Sequence, residues 1–180
     1  RTLIADISSP GSDTDYMLTS SEFRRMLEQL YANDYVLVDA ETMADLSEES
    51  FITEVYLTVP EGKKPVVLVL DTFDYTASNY IYGCCERLVI NDQGQVCGEY
   101  MDSNGQTIVS REAEAIGVLD AFIEEHPDFS FDGAKGVISL CGYESCFGYV
   151  ISEDEIDDRN NALAAAGRPS VQFSESDIES

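Results

Sequence analysis

Asp71 and Asp74 close the stretch "GKKPVVLVLDTFDY", which runs from Gly62 to Tyr75. An apolar run enters after Pro65 and delivers Asp71 at its C-terminal end. Open α/β folds gather their ligand sites at such strand ends. A carboxylate there suits general-base chemistry, provided a proton donor such as a bound water lies within reach. A second apolar run, "AKGVISLCGY", ends on Gly142, Tyr143 and Glu144, and brings another carboxylate and a phenol to the same kind of position. His126, the one histidine, precedes Pro127 at a predicted helix end and reads as an exposed or capping residue. The five cysteines, Cys84, Cys85, Cys97, Cys141 and Cys146, match no zinc spacing. Strain disfavours a Cys84–Cys85 bridge, whereas Cys141 and Cys146 are spaced to pair across a turn. An odd count leaves at least one thiol unpaired or intermolecular, and plain buried thiols are the simpler reading.

The elements that must position these residues follow from periodicity. "TLIADI" reads as a first strand and "SSPGSDTD" as a loop. In "TSSEFRRMLEQLYAND", Thr19 and Glu22 form a capping-box pattern, and Phe23, Met26, Leu27, Leu30 and Tyr31 recur at helical spacing. A short buried strand, Tyr35–Val38, and a short helix, "AETMADL", come next. Pro65–Leu70 is too short for a buried helix, and its valines favour a strand. Thr76–Glu86 has helical character. "RLVI", "QVCGEY" and "QTIV", separated by "NDQG" and "DSNG", predict a β-meander inserted at about 87–110. The Asp and Asn residues of those turns lack the twelve-residue calcium-loop spacing, so turn chemistry accounts for them. "REAEAIGVLDAFIEEHPDF" predicts a second helix, buried through Ile116, Leu119, Phe122 and Ile123 and ended by Pro127. "AKGVISLCGY" predicts a buried strand, "DEIDDRNNALAAAG" a third helix stopped by Gly167, and "SVQF" a last strand. Strands alternating with helices predict an α/β fold of parallel βαβ units, joined right-handedly, in one domain over residues 1–180.

Composition limits the partners. Ten basic residues against 35 acidic ones give a net charge of −25, with 44% apolar residues among 180. Such a surface repels nucleic acid and anionic membranes. It suits a secreted protein, a divalent-cation binder or a protein of salty water, and also a solvated surface with no specific partner. No run approaches the ~20 apolar residues that span a bilayer. The start at Arg1 fits a processed chain. An extracellular or cell-envelope location is permitted by these features.

The order of elements resembles the polysaccharide deacetylase (NodB-homology) family. "LTSSEFRRMLEQLYANDYVLVDAETMADL" is similar to the family's early helix, short strand and following helix. "KKPVVLVLDTFDY" is similar to its first catalytic strand, and "EEHPDFSFDGAKGVISLCGYESCFGYV" to a bacterial branch carrying the meander. The resemblance implies a partial or distorted (β/α) barrel with an inserted β-meander, and removal of acetyl groups from N-acetylated glycans. That reaction uses an open divalent metal, such as zinc, to polarise the amide and activate a water, with a carboxylate base beside it. The family supplies paired aspartates, base then metal ligand, and a later His-x-x-x-His pair. On this pattern Asp71 takes the base position and Thr72 the ligand position. Placing Gly167 on the family's glycine sets Phe173 and Asp177 where the two histidines belong. Phe173 cannot hold a metal, and Thr72 is a poor substitute for a carboxylate. The chain is also short against the family's barrel, as a fragment or a reduced domain would be.

Three readings follow. The first is a deacetylase-like domain that binds glycan or cell-wall polymer, or acts structurally, with no metal cofactor and no activity. Asp71, Tyr75, Tyr143 and Glu144 line its former site. Tyrosines suit sugar faces because one side is apolar and the tip hydrogen-bonds, although ordinary partial burial accounts equally for them and is the only reading of Tyr80, Tyr82 and Tyr100. The second is an active metal-dependent deacetylase, a hydrolase with Asp71, Asp74 and Asp177 around a divalent ion. The third is an acidic envelope assembly or adhesion protein that binds calcium loosely and self-associates, with a free cysteine linking chains.

Overall fold

A computed structural model describes residues 3–8, 15, 17–45, 53–54, 56–71, 73, 75–140 and 145–173. The helix α1, Ser20–Ala32, begins on the capping box that the sequence predicts. The Thr19 hydroxyl accepts from the Glu22 backbone N–H at 3.2 Å, and the Glu22 carboxylate accepts from the Thr19 N–H at 3.0 Å. Two of the helix's otherwise unpaired N-terminal donors are thereby satisfied. Phe23 and Leu27, one turn apart, carry its buried face into the main core.

Strand β1, Tyr35–Leu37, leads into a 3₁₀ turn at Ala40–Met43, where "AETMADL" predicts a short helix. The chain continues into β2, Ala44–Asp45, which pairs antiparallel with β3, Thr53–Glu54. The run expected as one strand divides into β4, Lys64–Val66, and β5, Val69–Asp71. β4 pairs parallel with β1, and β5 pairs parallel with β9, Val137–Ser139. Pro65 takes a register position opposite Val36. A proline has no N–H to give to a ladder and is tolerated at a sheet edge.

The meander appears as predicted. β6 (Arg87–Ile90), β7 (Val96–Met101) and β8 (Thr107–Ser110) form an antiparallel three-stranded sheet. Its turns are built by Asx chemistry. Asn91 Oδ1 accepts from the N–H groups of Gln93 and Gln95, and Asp102 Oδ1 from those of Asn104 and Gln106. The turn oxygens are engaged as the sequence reading expected of turn residues.

α2, Ala115–Glu125, is shorter than "REAEAIGVLDAFIEEHPDF" suggests. A 3₁₀ turn at Arg111–Ala113 precedes it, and Pro127 starts another at Pro127–Phe129. α3, Ile156–Ala165, ends just before Gly167. A 3₁₀ helix, Ala77–Tyr82, fills the expected helical stretch and stops at Gly83, whose φ of 79° is in the left-handed region that glycine adopts without penalty.

Three strand expectations are corrected. Over "TLIADI" the described residues make only isolated bridges, from Ile4 to Thr19 and Cys84. "SVQF" forms no strand. β9 is exposed along its length, where "AKGVISLCGY" predicts a buried strand. Among the described residues β9 has a ladder partner on one edge only, which leaves Val137 and Ile138 partly in water. The general α/β class holds, with parallel pairs, packed helices and a separate meander. Among the described residues the strands form short sheets that do not close into a barrel.

The main core joins α1, β1, β5 and α2 through Leu27, Leu37, Leu70, Leu119, Phe122 and Phe129. A smaller cluster of Ala77, Tyr80 and Leu163 fixes α3 against the 3₁₀ helix after β5.

Candidate functional site

β5 delivers Asp71 as the sequence reading requires. Leu70 is buried and anchors the strand, while Asp71, next along the pleat, is exposed and stands opposite Ser139 of β9 in register. Alternation along a strand sends neighbouring side chains to opposite faces. Asp71 lies on the rim of a cleft of about 260 Å³ whose described wall is otherwise apolar, with Leu3, Leu18, Phe23, Met26 and Leu68 among its residues. It is the one ionisable side chain among the described residues lining that space. The result is a carboxylate at the mouth of a greasy recess, in the pattern of a small-ligand site where one polar group orients and the walls take apolar surface.

Tyr75, four residues further, turns inward. It is 1% exposed, and its ring meets Phe73 edge-on at 5.9 Å. Its φ is 52°, a region that residues other than glycine seldom occupy. The Tyr75 hydroxyl donates to Glu114 Oε2 at 3.1 Å. Glu114 is wholly buried and caps α2, accepting from the Ala115 N–H at 2.7 Å and from the Leu3 N–H. Burial pushes its carboxyl up to about 7, and the donors from Ala115, Tyr75 and Leu3 hold it from going further. Burial, with Glu114 nearby, raises the Tyr75 phenol far above its ordinary range. Cys85, whose thiol faces the Ala113 carbonyl at 3.5 Å, is raised by burial and then by Glu114.

Behind the turn after β5 lies a second buried charge. Arg159 of α3 is 3% exposed. It donates to the Tyr75 carbonyl at 3.0 Å, to the Gly148 carbonyl at 3.3 Å, to Ser145 Oγ at 3.4 Å and to the Tyr80 hydroxyl. Its guanidinium carbon lies 5.5 Å from the centre of the Tyr80 ring, within cation–π range. His126 caps α2 and packs between Tyr31 and Phe122, with ring centres 4.5 and 4.7 Å away. Cys84, Cys85 and Cys97 are buried as thiols.

A larger open cleft of about 640 Å³ lies on the other side of the Leu3–Ile4 segment, between α1, α2 and the meander. Thr19, Ser20 and Tyr100 border it, and Arg24 at its edge is paired with Glu125 and, at 3.5 Å, with Glu28.

Of the residues named from the sequence, Asp71 stands at the cleft and Tyr75 in the core behind it. Thr72, Asp74, Tyr143, Glu144 and Asp177 lie outside the described residues. Phe173 is half-buried near the end of the described chain. Among the described residues no group of three or more His, Cys, Asp or Glu side chains is placed to share a metal ion. No helix among them is long and apolar enough to cross a membrane. Comparison with known proteins finds no matching family model, curated protein or solved structure.

The sequence reading passed over Glu114 and Arg159. Glu114 carried a signal, because it stands immediately before the apolar run "AIGVLDAFI", at the place of a helix cap. Arg159 and Leu163 are four apart on α3 and buried together, a stripe that the surrounding acidic residues obscured.

Proposed function

We propose that this chain is a polysaccharide-deacetylase-like domain of the cell envelope or the secreted fraction, which binds glycan or serves structurally and does not catalyse deacetylation. The observation that carries the reading is Asp71 at the C-terminal end of a parallel strand, on the rim of an apolar recess. A carboxylate accepts hydrogen bonds from sugar hydroxyls, while Leu, Met and Phe walls take the apolar face or the methyl of an acetamido group.

The argument against catalysis is chemical. Amide hydrolysis of this kind needs an ion to polarise the carbonyl and acidify a water. In the alignment that places Asp71 as base, threonine and phenylalanine occupy two of the three positions that would hold that ion. Phe173 has no ligand atom to offer, and a hydroxyl binds zinc poorly beside carboxylate or imidazole. The intact base position favours the alternative, an active metal-dependent N-deacetylase in which Asp74 and Asp177 complete the ligand set.

Calorimetric titration with N-acetylated chito-oligosaccharides, with zinc and with chelator, tests both. Binding of equal strength in the two conditions without acetate release is the expected result. Acetate release that depends on zinc replaces this reading with the active enzyme. Loss of all binding under both conditions removes the glycan role.

A further inference from the structure

We propose that Arg159 is a positioning residue that locks the turns after β5 and β9 together and so shapes the rim on which Asp71 sits; this rests on the glycan-binding reading of that rim. Both strands of the parallel pair are followed by backbone in the left-handed region. After β5 it is Tyr75, with φ 52°, and after β9 it is Phe147 and Gly148, with φ 53° and 92°. For tyrosine and phenylalanine this conformation is strained and persists only where neighbouring structure over-determines it. The guanidinium of Arg159 reaches both turns: Nη1 donates to the Tyr75 carbonyl of one and the Ser145 hydroxyl of the other, and Nη2 to the Gly148 carbonyl. The turns are also tied directly, because the Phe147 N–H donates to the Phe73 carbonyl at 3.0 Å. Phe73 and Phe147 meet edge-on at 6.5 Å.

Only arginine can make this connection. Its five N–H donors lie in a rigid planar fork that serves several acceptors in one plane. A lysine ammonium is a compact point charge and cannot span the same set. The Tyr80 ring and hydroxyl hold the fork in place, and Leu163, one turn along α3, seats the helix in the small cluster beneath. Arg159 acts on Asp71 through Tyr75 and Phe73, the described residues that follow β5.

The test uses the whole chain with Arg159→Lys, Arg159→Met, Asp71→Asn and the Arg159→Lys/Asp71→Asn double variant. Chito-oligosaccharide affinity is read by calorimetry, and backbone protection by hydrogen exchange. The expected result is that Arg159→Lys weakens binding about tenfold, and that the double variant loses less than the product of the two single losses. Exchange should quicken together at Tyr75–Tyr80 and Ser145–Tyr149, with α1 unchanged. Independent, multiplicative losses of affinity overturn the proposal. If the wild-type chain binds no glycan, the functional reading fails by itself and exchange decides the role of Arg159. Concerted loosening of the two turns then upholds the lock, and uniform or unaltered exchange in both Arg159 variants overturns it.

Discussion

The Tyr75 hydroxyl donates to the Glu114 carboxyl at 3.1 Å inside the core, joining the turn after β5 to the N-terminal cap of α2. A buried carboxyl with three donors is well satisfied when charged, yet burial still lifts it to about 7. The balance between these effects gives the molecule a titration that acts on its stability.

Across the window from 4.5, the ordinary glutamate value, up to about 7, the folded chain holds the Glu114 proton that the unfolded chain has released. Raising pH through that window therefore draws the equilibrium toward the unfolded state, and the loss levels off above 7. The cost is roughly 3 kcal/mol at about 1.4 kcal/mol per pH unit. Urea denaturation of wild type and Glu114→Gln across this range should show a steeper fall in the first than in the second, where the Glu86 carboxyl, also raised by burial, still contributes. Parallel curves would assign the pH dependence to other groups.

Tyr75→Phe removes the donor and keeps the ring in its contact with Phe73. The buried carboxyl then loses one of its partners, at a cost of about 1–3 kcal/mol. The Glu114 carboxyl should move further upward, because a bond that favours its charged form has gone. Denaturation midpoints at pH 8 measure the loss. An unchanged midpoint would show that the hydrogen bond contributes nothing net.

Gly98 on β7 lies against Cys85 and Glu114. A methyl group added there would overlap the Cys85 sulfur and approach Glu114 Cβ at 3.2 Å. Gly98→Ala should destabilise by about 1–3 kcal/mol, the usual range for overpacking. Gly117→Ala should cost at least as much, because the added methyl would meet the Arg111 carbonyl, and backbone yields less readily than the tip of a side chain. Thermal unfolding of the two variants orders them, and the reverse order would contradict the packing described.

Thiol reactivity should follow burial. Cys85 is sealed in the core and its thiolate is disfavoured by burial and by Glu114, whereas Cys146 is half-exposed. The thiolate is the reactive form. Iodoacetamide at neutral pH, followed by peptide mass mapping, should label Cys146 well before Cys85. Equal rates would show that the core around Cys85 opens readily.

How far the sequence carried these conclusions depended on range. The α1 capping box and the meander turns are local: Thr19 meets Glu22 three residues away, and Asn91 closes its own turn on Gln95. Asp71 was legible for the same reason, since an apolar run followed by an acid defines a strand end without knowledge of its neighbours. The burial of β9 was misread because "GVISL" is apolar, while its surroundings depend on which edges find partners. The division of Pro65–Leu70 into β4 and β5 was likewise decided by distant partners, β1 for one half and β9 for the other. Glu114 and Arg159 were passed over: the helix-cap position of the first is local, but its enclosure by Tyr75 and Leu3, and the convergence of two turns on the second, depend on residues far away in the chain. The roles given to Asp74, Tyr143, Glu144 and Asp177 fall on residues outside those described, and the glycan and metal titrations test those roles.

Leu3 faces the recess beside Asp71, and its neighbour Ile4 faces the wider cleft along α1 and α2. Two consecutive residues thus border two different spaces. A substitution that displaces this segment bears on both spaces at once, so ligand screens on variants at Leu3 or Ile4 should follow binding in each space separately.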